Sequence, residues 1–201
     1  QMNYNYVLVK ANACGYGVPQ KRKRVFFVAS KKTITCTPIQ TNFEKPEEGQ
    51  NPYERVIDWI GRFDTEEYAT EGRRKICQGD NCEGLHHDSL LHVPPGSNYI
   101  SLSERRGFTP QRFKAGTRYW TFLLKLHPLL PSWTIIAQPG HWEGPFHWTN
   151  RRLRTQELAA IQTFPIDYKF IGSPRSIHKQ IGNAVPCLLG KAMTEYLMKI
   201  I

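Results

Sequence analysis

Three stretches of this chain hold polar and basic residues at spacings that packing alone does not require. The first is Gly15-Tyr16-Gly17-Val18-Pro19-Gln20-Lys21-Arg22-Lys23-Arg24. Two glycines and a proline make its beginning a rigid loop. Its end alternates as a strand does, so Gln20, Arg22 and Arg24 share one face and Lys21 and Lys23 the other. Guanidinium forks grip phosphate or carbonyl oxygens bidentately, which suits that face to an anionic or carbonyl-bearing ligand. A solvated basic turn is the plainer alternative. The second stretch runs from Asn150-Arg151-Arg152-Leu153-Arg154-Thr155-Gln156-Glu157 to Phe164-Pro165. By itself it reads as a capped surface helix with a basic approach. The third, Gln180-Ile181-Gly182-Asn183-Ala184-Val185-Pro186, reads as a Gly-Asn turn before a proline-started helix, whose free N–H groups suit a ligand. Alone it is equally an ordinary helix start.

The elements around these stretches follow from periodicity. Tyr6–Ala11 and the apolar run within Arg24–Ala29 read as strands, so the opening is strand, glycine-rich loop, strand. Residues 37–52 form a polar connector. Val56, Ile57, Trp59, Ile60 and Phe63 lie at helical spacing within Tyr53–Phe63. Residues 64–118 carry little periodicity, whereas Trp120–Leu126 and Trp133–Ala137 are strand candidates. A helix capped by Thr155 runs to Phe164, where Pro165 stops it. A last helix, Pro186–Ile201, carries Leu188, Leu189, Ala192, Met193, Tyr196, Leu197 and Ile200 on one face. No run of βαβ units is present, and no glycine-rich turn opens a helix after a strand. A cofactor-binding sheet is therefore expected to be mostly supplied from elsewhere.

Composition bounds the function. Across 201 residues, 40% are hydrophobic and 12% aromatic, enough for a packed core rather than a disordered chain. No apolar stretch reaches the about 18 residues of a membrane span, and Gln1–Lys10 does not read as a signal peptide. The net charge of +10 favours an anionic partner, most commonly nucleic acid. Five cysteines, odd in number and scattered, argue against a secreted disulfide framework and for a reducing, cytoplasmic setting. Cys77, Cys82, His86 and His87 are a candidate metal cluster. The adjacent histidines cannot easily face one ion, so an irregular loop is the favoured reading and no metal site is assigned.

Together and in this order, the three stretches resemble the conserved blocks eight to ten of the DNA (cytosine-5) methyltransferase family. The first is similar to Tyr-Gly-x-Pro-Gln-x-Arg-x-Arg, the second to Arg-x-Leu-Thr-x-Arg-Glu followed by Leu-Gln-x-Phe-Pro, the third to Ile-Gly-Asn-Ala-Val-Pro-Pro. Pro131-Ser132-Trp133-Thr134-Ile135 also resembles the family's Pro-x-x-Thr-Ile stretch. Residues 6–30 and 150–200 carry the likeness closely. Departures stand at Arg154 (usually Thr), Gln156 (usually Arg), Ala160 (often Arg) and Cys187 (usually Pro).

The resemblance implies an α/β fold: the C-terminal part of an S-adenosylmethionine-dependent methyltransferase plus a small, mostly β target-recognition lobe. It divides the chain into the end of the catalytic sheet domain (1–65), a target-recognition region (66–149) and a hinge with returning helices (150–201). It implies that Arg24 contacts a flipped cytosine with Arg22 and Gln20 as partners on its strand, and that Asn183, Ala184 and Val185 close over S-adenosylmethionine. Lys21, Lys23, Arg105, Arg106, Arg112, Lys114, Arg118, Arg151 and Arg152 are the candidate grips on double-stranded DNA.

In the family a Pro-Cys-Gln thiolate attacks the base, with a Glu-Asn-Val glutamate assisting. Neither block, nor a Phe-x-Gly-x-Gly cofactor turn, occurs in this sequence. Cys187 follows a proline but precedes Leu188, and its apolar helical context marks it as structural. The expectation is a chain inactive without a second chain or N-terminal half that carries those blocks, whether as one subunit of a split enzyme or as part of a longer protein. The exposed face of the opening hairpin would then be apolar. A catalytically silent DNA-binding or regulatory module is the rival reading, and RNA methylation a minor third.

Overall fold

The computed structural model describes residues 3–64 and 82–200. Strand β1 (Asn5–Asn12) pairs antiparallel with β3 (Lys23–Ser30), in register from Asn5 opposite Ser30 to Asn12 opposite Lys23. The hairpin is thus present, and alternation divides its two faces. Val9, Ala11 and Val28 are buried against Leu189, Met193 and Tyr196 of the final helix and Ile200 just beyond it. The opposite face leaves Tyr6, Leu8, Val25 and Phe27 more than half exposed, with Tyr6 and Phe27 stacked at 5.6 Å. A 3-10 turn (Ala13–Tyr16) follows β1, and Gly17 ends it at φ 73°, a conformation that glycine adopts without strain. Strand β2 (Gln20–Lys21) then pairs parallel with β6 (Ser132–Trp133). Two further short strands, β4 (Asn42–Phe43) and β5 (Asn51–Pro52), form a separate parallel pair.

Helix α1 (Val56–Ile60), extended by a 3-10 turn through Phe63, occupies the expected amphipathic segment. Helix α2 (His87–His92) lies in the middle region. Helix α3 (Thr155–Ile161) starts one residue earlier than expected: Arg154, not Thr155, is the cap residue, and its backbone N–H donates to Glu157 Oε2 at 2.7 Å. Helix α4 (Pro174–Asn183) was not expected. Gly182-Asn183 ends it and is not a free turn. Ser173 caps it by accepting from the Ser176 N–H, and Pro174 takes a first-turn position where its missing N–H costs nothing. Helix α5 (Cys187–Met198) begins directly after Pro186.

Trp120–Leu126 is not a strand. Leu123 has φ 52°, which breaks any extended run, and only isolated bridges join this segment to residues 143 and 146. Phe122, Leu123, Leu124 and Leu126 are buried because the segment threads through the core, whereas Trp120 at its start is exposed. Trp133–Ala137 is likewise laddered only at β6, and side chains hold the rest. A second core joins Val56, Ile60 and Phe63 to Leu126, Ile135, Leu158, Ile161 and Ile181. A third, built from Cys82, Leu90, Val93, Tyr99, Leu102, Phe122, Leu123 and Phe146, is drawn entirely from residues 82–146. Among the described residues no helix is long and apolar enough to cross a membrane.

Candidate active-site face

Gln20 sits in β2 with its side chain buried, and its Oε1 accepts the Ile135 N–H at 3.1 Å. Arg22, one residue beyond β2, is 1% exposed. Its Nη1 donates to the Ile135 carbonyl at 3.2 Å, and its Nη2 to the Gly182 carbonyl at 2.7 Å and the Ala184 carbonyl at 3.1 Å. One guanidinium thus ties the first stretch to the third and to the Pro131–Ile136 segment. Burial, reinforced by the nearby charge of Arg24, lowers its pKa to about 10, so it stays cationic at neutral pH. The second stretch joins the third through Gln162, whose Nε2 donates to the Ile181 carbonyl and whose carbonyl accepts the Cys187 N–H.

The alternation expected from the sequence therefore separates roles along one face. Gln20 and Arg22 bond backbone groups and position the site. Arg24 is half-buried and, among the described residues, bonds only the adjacent Lys23 carbonyl, at 2.7 Å, which leaves most of its fork open to them. Lys23 is exposed, while Lys21 stands 3.9 Å from Glu44 and 5.4 Å from the Trp133 ring. In the third stretch Asn183 and Val185 are exposed and Ala184 is held by Arg22, so the segment presents a small outward wall.

The candidate DNA grips divide. Arg105, Arg106, Lys114 and Arg118 are exposed, with the Arg118 guanidinium 5.4 Å from the Phe122 ring. Arg112 is exposed but ion-paired with Asp88. Arg151 and Arg152 do not face solvent as expected. Arg151 is 3% exposed and forks onto Glu157 at 2.7 and 2.8 Å while also reaching Asp64 at 2.9 Å. These carboxylates outweigh the burial that opposes its charge, and its pKa rises. Arg152 donates to the Glu143 and Gly140 carbonyls and lies over the Phe146 ring.

Cys77 of the candidate metal cluster lies outside the described residues. His86 packs edge-on against Phe113, Phe122 and Trp142, and His87 Nδ1 meets the Cys82 carbonyl. Among the described residues no three metal-ligating side chains converge. Burial raises the thiol pKa of Cys187, in keeping with a structural role.

Sequence reasoning missed Lys125. It is buried, its Nζ donates to the Leu90 and Val93 carbonyls and to Asn150 Oδ1, and burial lowers its pKa to about 8. No local pattern announces it, because its acceptors come from distant segments. Also missed was the packing of Trp120 edge-on against Trp133, with ring centroids 5.5 Å apart.

Residues 1–199 match the family model described as C-5 cytosine-specific DNA methylase. The chain is 39% identical to the type II methyltransferase M.SacI of Streptomyces achromogenes, over 98% of this chain and 52% of that protein. It is 28% identical to the type II methyltransferase M1.HphI of Haemophilus parahaemolyticus, over 100% of this chain and 50% of that one. The chain therefore spans about half the length of these curated relatives. Among solved structures, an E. coli prophage-encoded DNA modification methyltransferase superposes with a TM-score of 0.59 at 17% identity, covering 98% of this chain and 61% of that one. The S. pombe Dnmt2 methyltransferase superposes with a TM-score of 0.55 at 11% identity, covering 98% of this chain and 58% of that one. Both likenesses are to the methyltransferase fold. With the three stretches knit together through Arg22 and Gln162 and the family match running over residues 1–199, this chain belongs to the C-5 cytosine-specific DNA methylases.

Proposed function

We propose that this chain supplies the DNA-gripping face and part of the active site for methyl transfer to C5 of cytosine in double-stranded DNA. The nucleophilic Pro-Cys-Gln and the Glu-Asn-Val blocks come from an N-terminal half or a second chain. The observation that carries the proposal is the arrangement around Arg22. It holds the third stretch at 2.7 Å while leaving Arg24, two residues along the same face, with an open fork. An open guanidinium beside a preorganised backbone suits the carbonyl edge of a base held outside the duplex. The apolar outer face of the hairpin, Tyr6, Leu8, Val25 and Phe27, is the surface on which the completing half packs.

Asn183 and Val185 fit one wall of an S-adenosylmethionine site, because the amide and the apolar side chain both face outward from a segment anchored at Ala184. The bound cofactor supplies the methyl group. The chain's own part is to hold that wall still, and Arg22 does so through the Gly182 and Ala184 carbonyls. The exposed cations Arg105, Arg106, Lys114 and Arg118, with Lys21 and Lys23, grip phosphate. Phosphate contacts release counterions, so affinity for any duplex falls steeply with salt, by about 0.9 in the log–log slope per contact. Titrating binding to a random-sequence duplex at rising salt tests this. A flat response sinks the phosphate grip.

A further inference from the structure

Tyr119 and Trp120 are 80% and 52% exposed, although nothing about their backbone is loose. The buried Tyr99 hydroxyl donates to the Arg118 carbonyl at 3.0 Å and accepts the Gly116 N–H at 3.1 Å. Asn98 Nδ2 donates to the Trp120 carbonyl at 2.8 Å, and the Phe122 N–H to the Tyr119 carbonyl at 3.0 Å. With three successive carbonyls held by these donors, the two aromatic side chains are displayed on a fixed scaffold. Trp120 is also braced edge-on by Trp133, at an interplanar angle of 78°. Trp133 lies on β6, paired with Lys21 of β2, and the Lys21 ammonium stands 5.4 Å from its ring. The aromatic pair therefore abuts the strand that carries Gln20 and leads to Arg22, and Arg118 and Lys21 flank it.

Large exposed rings on a rigid loop between cations match a polyanion whose apolar faces can be uncovered, and a nucleic acid with an unstacked base is such a ligand. We propose that Tyr119 and Trp120 form a stacking platform for bases of the DNA duplex that lose a neighbour when the target cytosine is drawn out. The proposal rests on the function proposed above and adds to it the residues that receive the disrupted stack. Because the rings are already fixed, little ordering opposes the contact.

The test measures binding of the full chain to a short paired duplex and to the same duplex with one abasic site. The wild-type chain is expected to favour the abasic duplex by roughly 5- to 150-fold, the range that base–aromatic stacking supplies. Trp120→Ala and Tyr119→Ala should each bring that preference to within about twofold, with the salt slope unchanged. Tyr119 is 80% exposed, so its replacement removes almost no core packing and guards against a misfolded Trp120 variant. Trp120→Phe should keep most of the preference. If the preference is absent in the wild type, or unchanged in both alanine variants while paired duplex is still bound, the platform is overturned and the DNA-binding reading stands. Binding to neither duplex at low salt overturns both.

Discussion

Arg22 Nη2 donates to the Gly182 carbonyl at 2.7 Å across 160 residues of sequence, which makes one buried cation the meeting point of the chain's two ends. Arg22→Ala would leave the buried Ile135 and Gly182 carbonyl contacts and the part-buried Ala184 contact without this donor. A loss of about 3 kcal/mol or more is expected, read as the shift in urea unfolding midpoint. Arg22→Lys, which keeps the charge but not the fork, should recover part of it. A wild-type midpoint for Arg22→Ala would show that the three carbonyls do not depend on it.

Gly182 and Gly190 make a matched pair. A Cβ on Gly182 would stand 2.4 Å from Ala137 Cα and 2.7 Å from Ala137 N, both backbone atoms that cannot swing aside. Gly182→Ala should therefore destabilise by about 1–3 kcal/mol. A Cβ on Gly190, inside α5, meets nothing within 4 Å, so Gly190→Ala should stabilise by about 0.5–1 kcal/mol through helix propensity. Thermal melting of both variants should move in opposite directions.

Glu157 is fully buried and accepts from Arg151 and from the Arg154 backbone. Glu157→Gln removes the charge that compensates buried Arg151 and should cost about 3–5 kcal/mol. The exposed Arg55–Asp58 pair is a control: Asp58→Asn should leave the unfolding midpoint where it was.

His178 bonds the Ile136 carbonyl through Nε2 at 2.9 Å, and burial holds its pKa below the ordinary 6.5. The folded state thus resists protonation more than the unfolded chain does. Its contribution is complete above about pH 6.5 and is lost as pH falls from there through the depressed folded value. Unfolding midpoints between pH 7.5 and 5.5 should decline for the wild type and more shallowly for His178→Gln; parallel slopes would contradict this.

The elements legible in the sequence are those whose cause is local. Alternation alone marks the β1–β3 hairpin and the shared face of Gln20, Arg22 and Arg24. Apolar spacing marks α1 and α5, although α5 leaves Leu197 at 38% exposure on the edge of the expected face. Helix α4 was missed because Ile177 and Ile181 are its only strongly apolar residues, yet Ser173-Pro174 is a legible start signal. The basic candidates read alike as letters, and tertiary pairing separates them. Arg151 finds Asp64, 87 residues away, and is buried, whereas Arg105 and Arg106 find no such partner among the described residues. The same limit hides Lys125, whose acceptors lie up to 35 residues away.

The proposed role of this chain is the specificity and positioning part of a cytosine-C5 methyltransferase. It is tested most directly by purifying the native protein from its source cells, determining intact masses, and assaying methyl transfer to duplex DNA. The expected result is a longer polypeptide or a second chain bearing Pro-Cys-Gln and Glu-Asn-Val, with label appearing on C5 of cytosine. A chain that emerges alone, with no second polypeptide and no methyl transfer, would contradict the claim and leave a DNA-binding module without catalysis.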